Sequence, residues 1–111
     1  YSKQLPIEES NFVDKRNLYA IFRDEKIKQT KDPFFNNASS MIRKDLWNIY
    51  KFDESIEAWE DIKWAKQVQS KGYSIIYEPE TAVHHYHIED PSKTLDRYKK
   101  EHSALEKILN K

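Results

Sequence analysis

The chain has 111 residues, which is room for one small domain, and 19 basic residues balance 19 acidic ones. That neutrality removes the bulk electrostatic argument for a nucleic-acid partner. The absence of cysteine excludes disulfides and thiolate metal sites. The charged share of 34% is high and the hydrophobic share of 38% is low. The core must therefore lean on its three Trp, seven Tyr and five Phe. Apolar runs are too short to cross a bilayer, and no signal-peptide pattern opens the chain. The first residue is Tyr1 and the sole methionine is Met41, so the expectation is a piece of a longer protein.

In chain order, YSKQLPIEES is polar, carries Pro6 and reads as extended or loop. Ser10 or Asn11 caps a predicted helix running to about Asp24, with Phe12, Leu18, Tyr19 and Phe22 roughly on one side. The charged stretch DEKIKQTKDP, broken at Pro33, predicts an exposed loop. Phe34 to Ile42 suits a buried strand or a tight turn leaving one, and Arg43 to Ile49 a short helix. FDES (Phe52 to Ser55) reads as a turn with an anchoring aromatic. From Trp59 the helical period returns in Ile62, Ala65 and Val68, with Trp64 beside them on the core side, and Gly72 ends that helix. YSIIY (Tyr73 to Tyr77) has strand composition and should stop at Pro79; Thr81 to His87 forms a second extended segment. Asp90 followed by Pro91 starts a last helix, from about Ser92 to Leu109. The sum is mixed α/β with few strands.

Three groups of residues carry candidate chemistry. Glu60 and Asp61 open the helix that begins near Trp59, where free N–H groups and the macrodipole favour a carboxylate. Helix-start chemistry alone accounts for such acids; a fixed, ionised general base is the functional alternative. In an extended segment His85 and His87 share a face opposite His84 and Tyr86, as a metal pair, a phosphate-binding pair or a polar strand end. A helix, a strand and a Pro turn separate Asp61 from His85, a path that can return the chain to the helix's starting end so that both line one cleft. Asn36, Asn37, Ser39 and Ser40 place donors and acceptors in a segment otherwise fit for burial, and a polyhydroxylated ligand or nearby backbone can satisfy them. Trp59 and Trp64 flank the acids; an indole can carry a sugar face, although at this spacing packing is the commoner use.

Taken in order, FFNNASSMIRKDLW, FDES and WEDIKWAKQVQSKGYSIIYEPETAVHHYH resemble the C-terminal half of the inverting glycosyltransferases of family 2. The opening YSKQLP is similar to a segment of the rhamnosyltransferase-like members, with Lys3 where Arg is usual. The resemblance runs from Tyr1 to about His87. It implies an α/β fold, the C-terminal part of a GT-A (nucleotide-diphospho-sugar transferase) fold with a short mixed sheet and helices, without the N-terminal nucleotide-binding half. Residues 1–90 would form the acceptor-side half and 91–111 a C-terminal helix. Asp61 would be the catalytic base and Glu60 its partner. Asn36, Asn37, Ser39, Trp59 and Trp64 would lie toward the substrates, and His85, with His87 as a second candidate, would help hold Mg²⁺ or Mn²⁺ and the diphosphate.

The implied partners are a nucleotide-sugar donor, a saccharide or lipid-linked acceptor, and the missing N-terminal half. The implied setting is cytoplasmic bacterial surface polysaccharide synthesis, with membrane association through the parent protein as an option. No D-x-D metal motif and no Gly-rich phosphate loop occur, the chain holding a single glycine, so the piece alone should be inactive or nearly so. The last helix, past the family motifs, could pack on the domain, meet a membrane-associated acceptor or dimerise. Two rivals stand beside this reading. One is a metal-dependent hydrolase using Asp61, His85, His87 and a third ligand drawn from Glu78, Glu80 or Glu89. The other is a non-catalytic interaction module derived from an enzyme.

Overall fold

In the computed structural model, which describes residues 1–56 and 58–109, three strands form one mixed sheet in the order β1-β3-β2. Strand β1 (Ser2–Leu5) pairs parallel with β3 (Ile75–His84), and β2 (Ile27–Gln29) pairs antiparallel with its first residues. Four helices accompany the sheet among the described residues: α1 (Phe12–Ile21), α2 (Lys44–Ile49), α3 (Glu60–Ser70) and α4 (Pro91–Leu109). The result is a small α/β domain.

The helix boundaries follow from local chemistry. Asn11 accepts a hydrogen bond from the Asp14 amide (2.9 Å) and so starts α1. Asp90 does the same for α4, accepting from the Lys93 amide (3.0 Å) and the Ser92 hydroxyl (2.6 Å), bonds that lower its carboxyl pKa. At the end of α3, Gly72 (φ +94°) donates to Gln69 O (3.0 Å) and Tyr73 N donates to Val68 O (3.1 Å). This is the paired closure of a Schellman motif. A Cβ at Gly72 would meet no atom within 4 Å, so only backbone strain opposes it. Gly72→Ala should cost about 1–2 kcal/mol, read as a lower chemical-denaturation midpoint with an unchanged m-value.

Three sequence expectations are corrected. The charged stretch after α1 is not simply loop, because β2 lies in it. A three-residue edge strand carries no period that composition could show, and Gln29 is buried by polar bonds rather than by apolar area. Its amide oxygen accepts from the Tyr1 hydroxyl (2.7 Å), and its amide nitrogen donates to Phe34 O (2.7 Å) and Asp32 O (3.0 Å). Second, Pro79 does not stop the strand: β3 runs through it as one ten-residue element that also takes in Thr81 to His84. The β1–β3 register slips there, Ser2 facing Glu78 and Gln4 facing Val83. The proline, which has no N–H to give, falls in that irregularity and beyond the end of β2 pairing at Tyr77. Third, α1 ends at Ile21, and Phe12 and Tyr19 are exposed while Leu18 and Phe22 are buried. Of the two options for Phe34 to Ile42, the turn is found, at residues 37–39, and Met41 stands out in solvent.

The core has two parts joined by the Tyr1 ring. The larger holds Phe35, Leu46, Trp64, Ala65, Val68 and Ile75, with Phe52 of the FDES turn packed edge-on against Trp64 at 5.9 Å. The smaller is Leu18, Phe22 and Tyr77. Helix α4 closes the domain across α1. Asp14, buried, accepts from the Tyr98 hydroxyl (2.6 Å) and from Arg97 (3.4 Å), and Arg97 also donates to Glu89 (2.8 Å). Of the roles open to the last helix, packing on the domain is therefore realised; residues 110–111 lie outside the described chain.

Candidate functional site

Asp61 sits in the first turn of α3, half-buried, and its two carboxylate oxygens are held by different elements. Oδ1 accepts from the Ile62 amide (2.9 Å), one of the free donors of the helix start. Oδ2 accepts from the Asn37 amide (3.0 Å) in the turn after Phe35. Burial pushes the Asp61 carboxyl above its ordinary value; these two N–H bonds pull it down by less, and Glu60 beside it adds to the rise. The helix-start argument alone expected the opposite direction. Desolvation outweighs it, and the outcome is a fixed carboxylate that is a stronger base than a solvated one.

The neighbouring residue is strained. Trp59, the N-cap of α3, adopts the left-handed conformation (φ +66°, ψ +28°) and gives no side-chain cap. Such a backbone costs a bulky residue on the order of 1–3 kcal/mol. Its indole N–H donates to Glu101 O of α4 (2.6 Å), a long-range bond that holds the residue in place. The strained turn sets the direction in which Glu60 and Asp61 leave the loop. Glu60 is exposed.

The loop that meets Asp61 is itself tied to the sheet. Asn36 Oδ1 accepts from the Ala38 amide (2.9 Å), and Asn37 Oδ1 accepts from the Ser40 hydroxyl (2.5 Å). Ser39 O accepts from the Ser2 amide (3.0 Å), and the Ser39 hydroxyl donates to Ser2 Oγ (3.2 Å), which in turn contacts Thr81 Oγ1 (2.8 Å). Asn36, Asn37 and Ser39 thus spend much of their capacity on shaping the turn, the backbone option left open by the sequence. Trp64 is a core residue, stacked obliquely on Phe35 at 5.8 Å with its N–H donating to Tyr50 O (2.5 Å). It borders a cavity of about 620 Å³ between the 39–43 segment and β3, whose wall includes Ser39, Ser40 and Arg43.

His85 and His87 do share a face: their rings meet edge-on at 5.6 Å. His85 is partly buried, and burial followed by the charge of His87 lowers its pKa, which favours the neutral imidazole that ligates metals. Its amide donates to Leu5 O (3.1 Å) at the end of β1, and Asp14 and Arg97 are its charged surroundings. The loop bound to Asp61 meets β1 at its other end, at Ser2. Among the described residues no hydrogen bond or ion pair joins the histidines to Asp61, and β1 links the two regions, through Leu5 at one end and Ser2 at the other. No group of three or more His, Asp or Glu side chains is arranged to hold a metal ion among the described residues. Two imidazoles alone fall short of the ligand set a divalent cation needs.

The sequence gives no sign of Trp59's backbone strain or of the Asp14–Arg97–Glu89 linkage. A lysine-lined groove between α3 and α4, also missed, left a trace in lysines spaced to share helix faces. No helix among the described residues is long and apolar enough to cross a membrane. No protein family, curated protein or solved structure matches the chain.

Proposed function

We propose that the chain is the acceptor-side half of a GT-A inverting glycosyltransferase that moves a sugar from a nucleotide-diphosphate donor to a hydroxyl of a saccharide or lipid-linked acceptor. The observation that carries this reading is Asp61: a carboxylate at a helix start, oriented by two amides from separate elements and made more basic by burial. An acceptor hydroxyl is a weak nucleophile until its proton is taken. Asp61 accepts that proton as the acceptor oxygen bonds to the anomeric carbon, and the bond from that carbon to the diphosphate breaks with its electron pair leaving on the nucleoside diphosphate. One displacement on the face opposite the leaving group inverts the anomeric centre. The anomeric carbon passes through oxocarbenium character, as in glycoside hydrolysis. Glu60 stands beside the base to position the acceptor. The ordered motif set from Tyr1 to His87 supports the same reading.

The test is release of nucleoside diphosphate from a panel of nucleotide sugars, with Mn²⁺ and candidate acceptors, by the protein extended upstream to a native methionine. Release from one donor establishes transfer and names the sugar. A folded protein that releases nothing from any donor leaves the interaction-module reading in its place.

A further inference from the structure

Helices α3 and α4 enclose an open groove of about 1190 Å³ that takes no part in the proposed transfer. Five lysines line it, Lys63 and Lys66 from α3 and Lys99, Lys100 and Lys107 from α4, against one acid, Asp53, among its described residues. Asp53 is already paired with Lys63, and the Lys66 ammonium donates to the terminal α4 carbonyls Ile108 O (3.1 Å) and Leu109 O (3.3 Å). Those two lysines have structural work. Lys99, Lys100 and Lys107 make no ion pair among the described residues. In a chain with zero formal net charge, that is a local concentration of positive charge. The macrodipole explains a lysine in the last turn of α4, where Lys107 stands, but not Lys99 and Lys100 near the middle of the helix.

We propose that this groove binds a ligand carrying phosphate groups, held by Lys99, Lys100 and Lys107. The choice of phosphate follows from the side chains. The planar fork of arginine suits carboxylate and phosphate alike, and no arginine is among the residues lining the groove; three ammonium point charges instead favour a multiply charged anion over a single carboxylate. An ammonium is a mobile point charge that suits a phosphate oxygen, and several can converge on one diphosphate. The same chemistry is offered by a soluble diphosphate and by a phosphomonoester headgroup on a lipid. This site is independent of Asp61 and stands whether or not the chain belongs to a glycosyltransferase.

The experiment titrates the 111-residue chain with pyrophosphate, followed by amide chemical shifts, and separately with phosphatidylcholine vesicles with and without phosphatidic acid. It compares the triple variant Lys99→Gln, Lys100→Gln, Lys107→Gln with a control, Lys28→Gln, Lys31→Gln, Lys44→Gln, taken from exposed lysines that do not line the groove. Saturable pyrophosphate binding that perturbs α3 and α4, weakens about tenfold or more in the groove variant and survives in the control supports a soluble ligand. Binding only to vesicles containing phosphatidic acid, with the same dependence on the variants, supports the headgroup. The groove variant should keep its Tm within a few degrees, because glutamine forms helix about as well as lysine and only the macrodipole contribution of Lys107 is lost. Failure of both probes to saturate, or an equal loss in the two triple variants, overturns the proposal.

Discussion

Replacing Trp64 by alanine should lower stability by about 3–5 kcal/mol. The side chain is 4% exposed and central to the larger core, between Phe35 and Phe52. Truncation opens a cavity there and leaves Tyr50 O without its indole donor. A domain of this size has on the order of 5–15 kcal/mol in all, so about a fifth of the total or more is at stake. Thermal unfolding should show Tm falling by about 10–20 °C. Trp47, which is 36% exposed and carries the Lys51 ammonium over its ring, provides the contrast: its alanine variant should lose clearly less, about 1–2 kcal/mol. Equal losses at the two positions would place the core elsewhere.

The second large effect is on chemistry. Asp61→Asn in the upstream-extended protein should reduce transfer by about 10²–10⁴-fold, the usual worth of a positioned general base. Donor binding should be unchanged, since the residue acts on the acceptor. Asparagine is nearly isosteric, so the fold should survive. It offers one acceptor oxygen where the carboxylate gives two to the Asn37 and Ile62 amides, a loss of about 1 kcal/mol. Removal of a charge that burial disfavours offsets part of that cost. Because the folded-state pKa of Asp61 is raised, its contribution to stability is present at low pH and lost as pH rises through the folded pKa. The Asn variant should lack this component in a Tm–pH series. Isothermal titration with the donor, together with rates at saturating donor, checks the binding and rate claims; a variant that no longer binds donor would assign Asp61 a different role.

What could be read from the sequence was local. The Asn11 and Asp90 caps, the Gly72 stop and the core-facing phase of Ile62, Trp64, Ala65 and Val68 each depend on neighbours within a turn or two, and each is found in the structure. What escaped depends on partners far along the chain. Pro79 is tolerated within β3 only because the β1 register slips opposite it, and β2 exists because Ile75 to Tyr77 offers it an edge. Phe12 is exposed although it fits the period of α1, since helix phase says which residues share a face but not how wide the covered stripe is. At the candidate site, the placement of Asp61 in the first turn of a helix was legible. The Asn37 amide that fixes its second oxygen and the left-handed Trp59 anchored on Glu101 were not. The alternation that put His85 and His87 on one face held, but nothing in the spacing said that β1 would set them at its far end.

The measurement that bears most directly on Asp61 as the base is the pH dependence of kcat/KM for nucleoside diphosphate release by the upstream-extended protein. The expected rate falls on the acid side with a pKa above the ordinary carboxylate value of about 3.9, as burial of Asp61 requires, and Asp61→Asn keeps a residual rate without that limb. An acid limb that persists unchanged in Asp61→Asn would contradict the base role of Asp61.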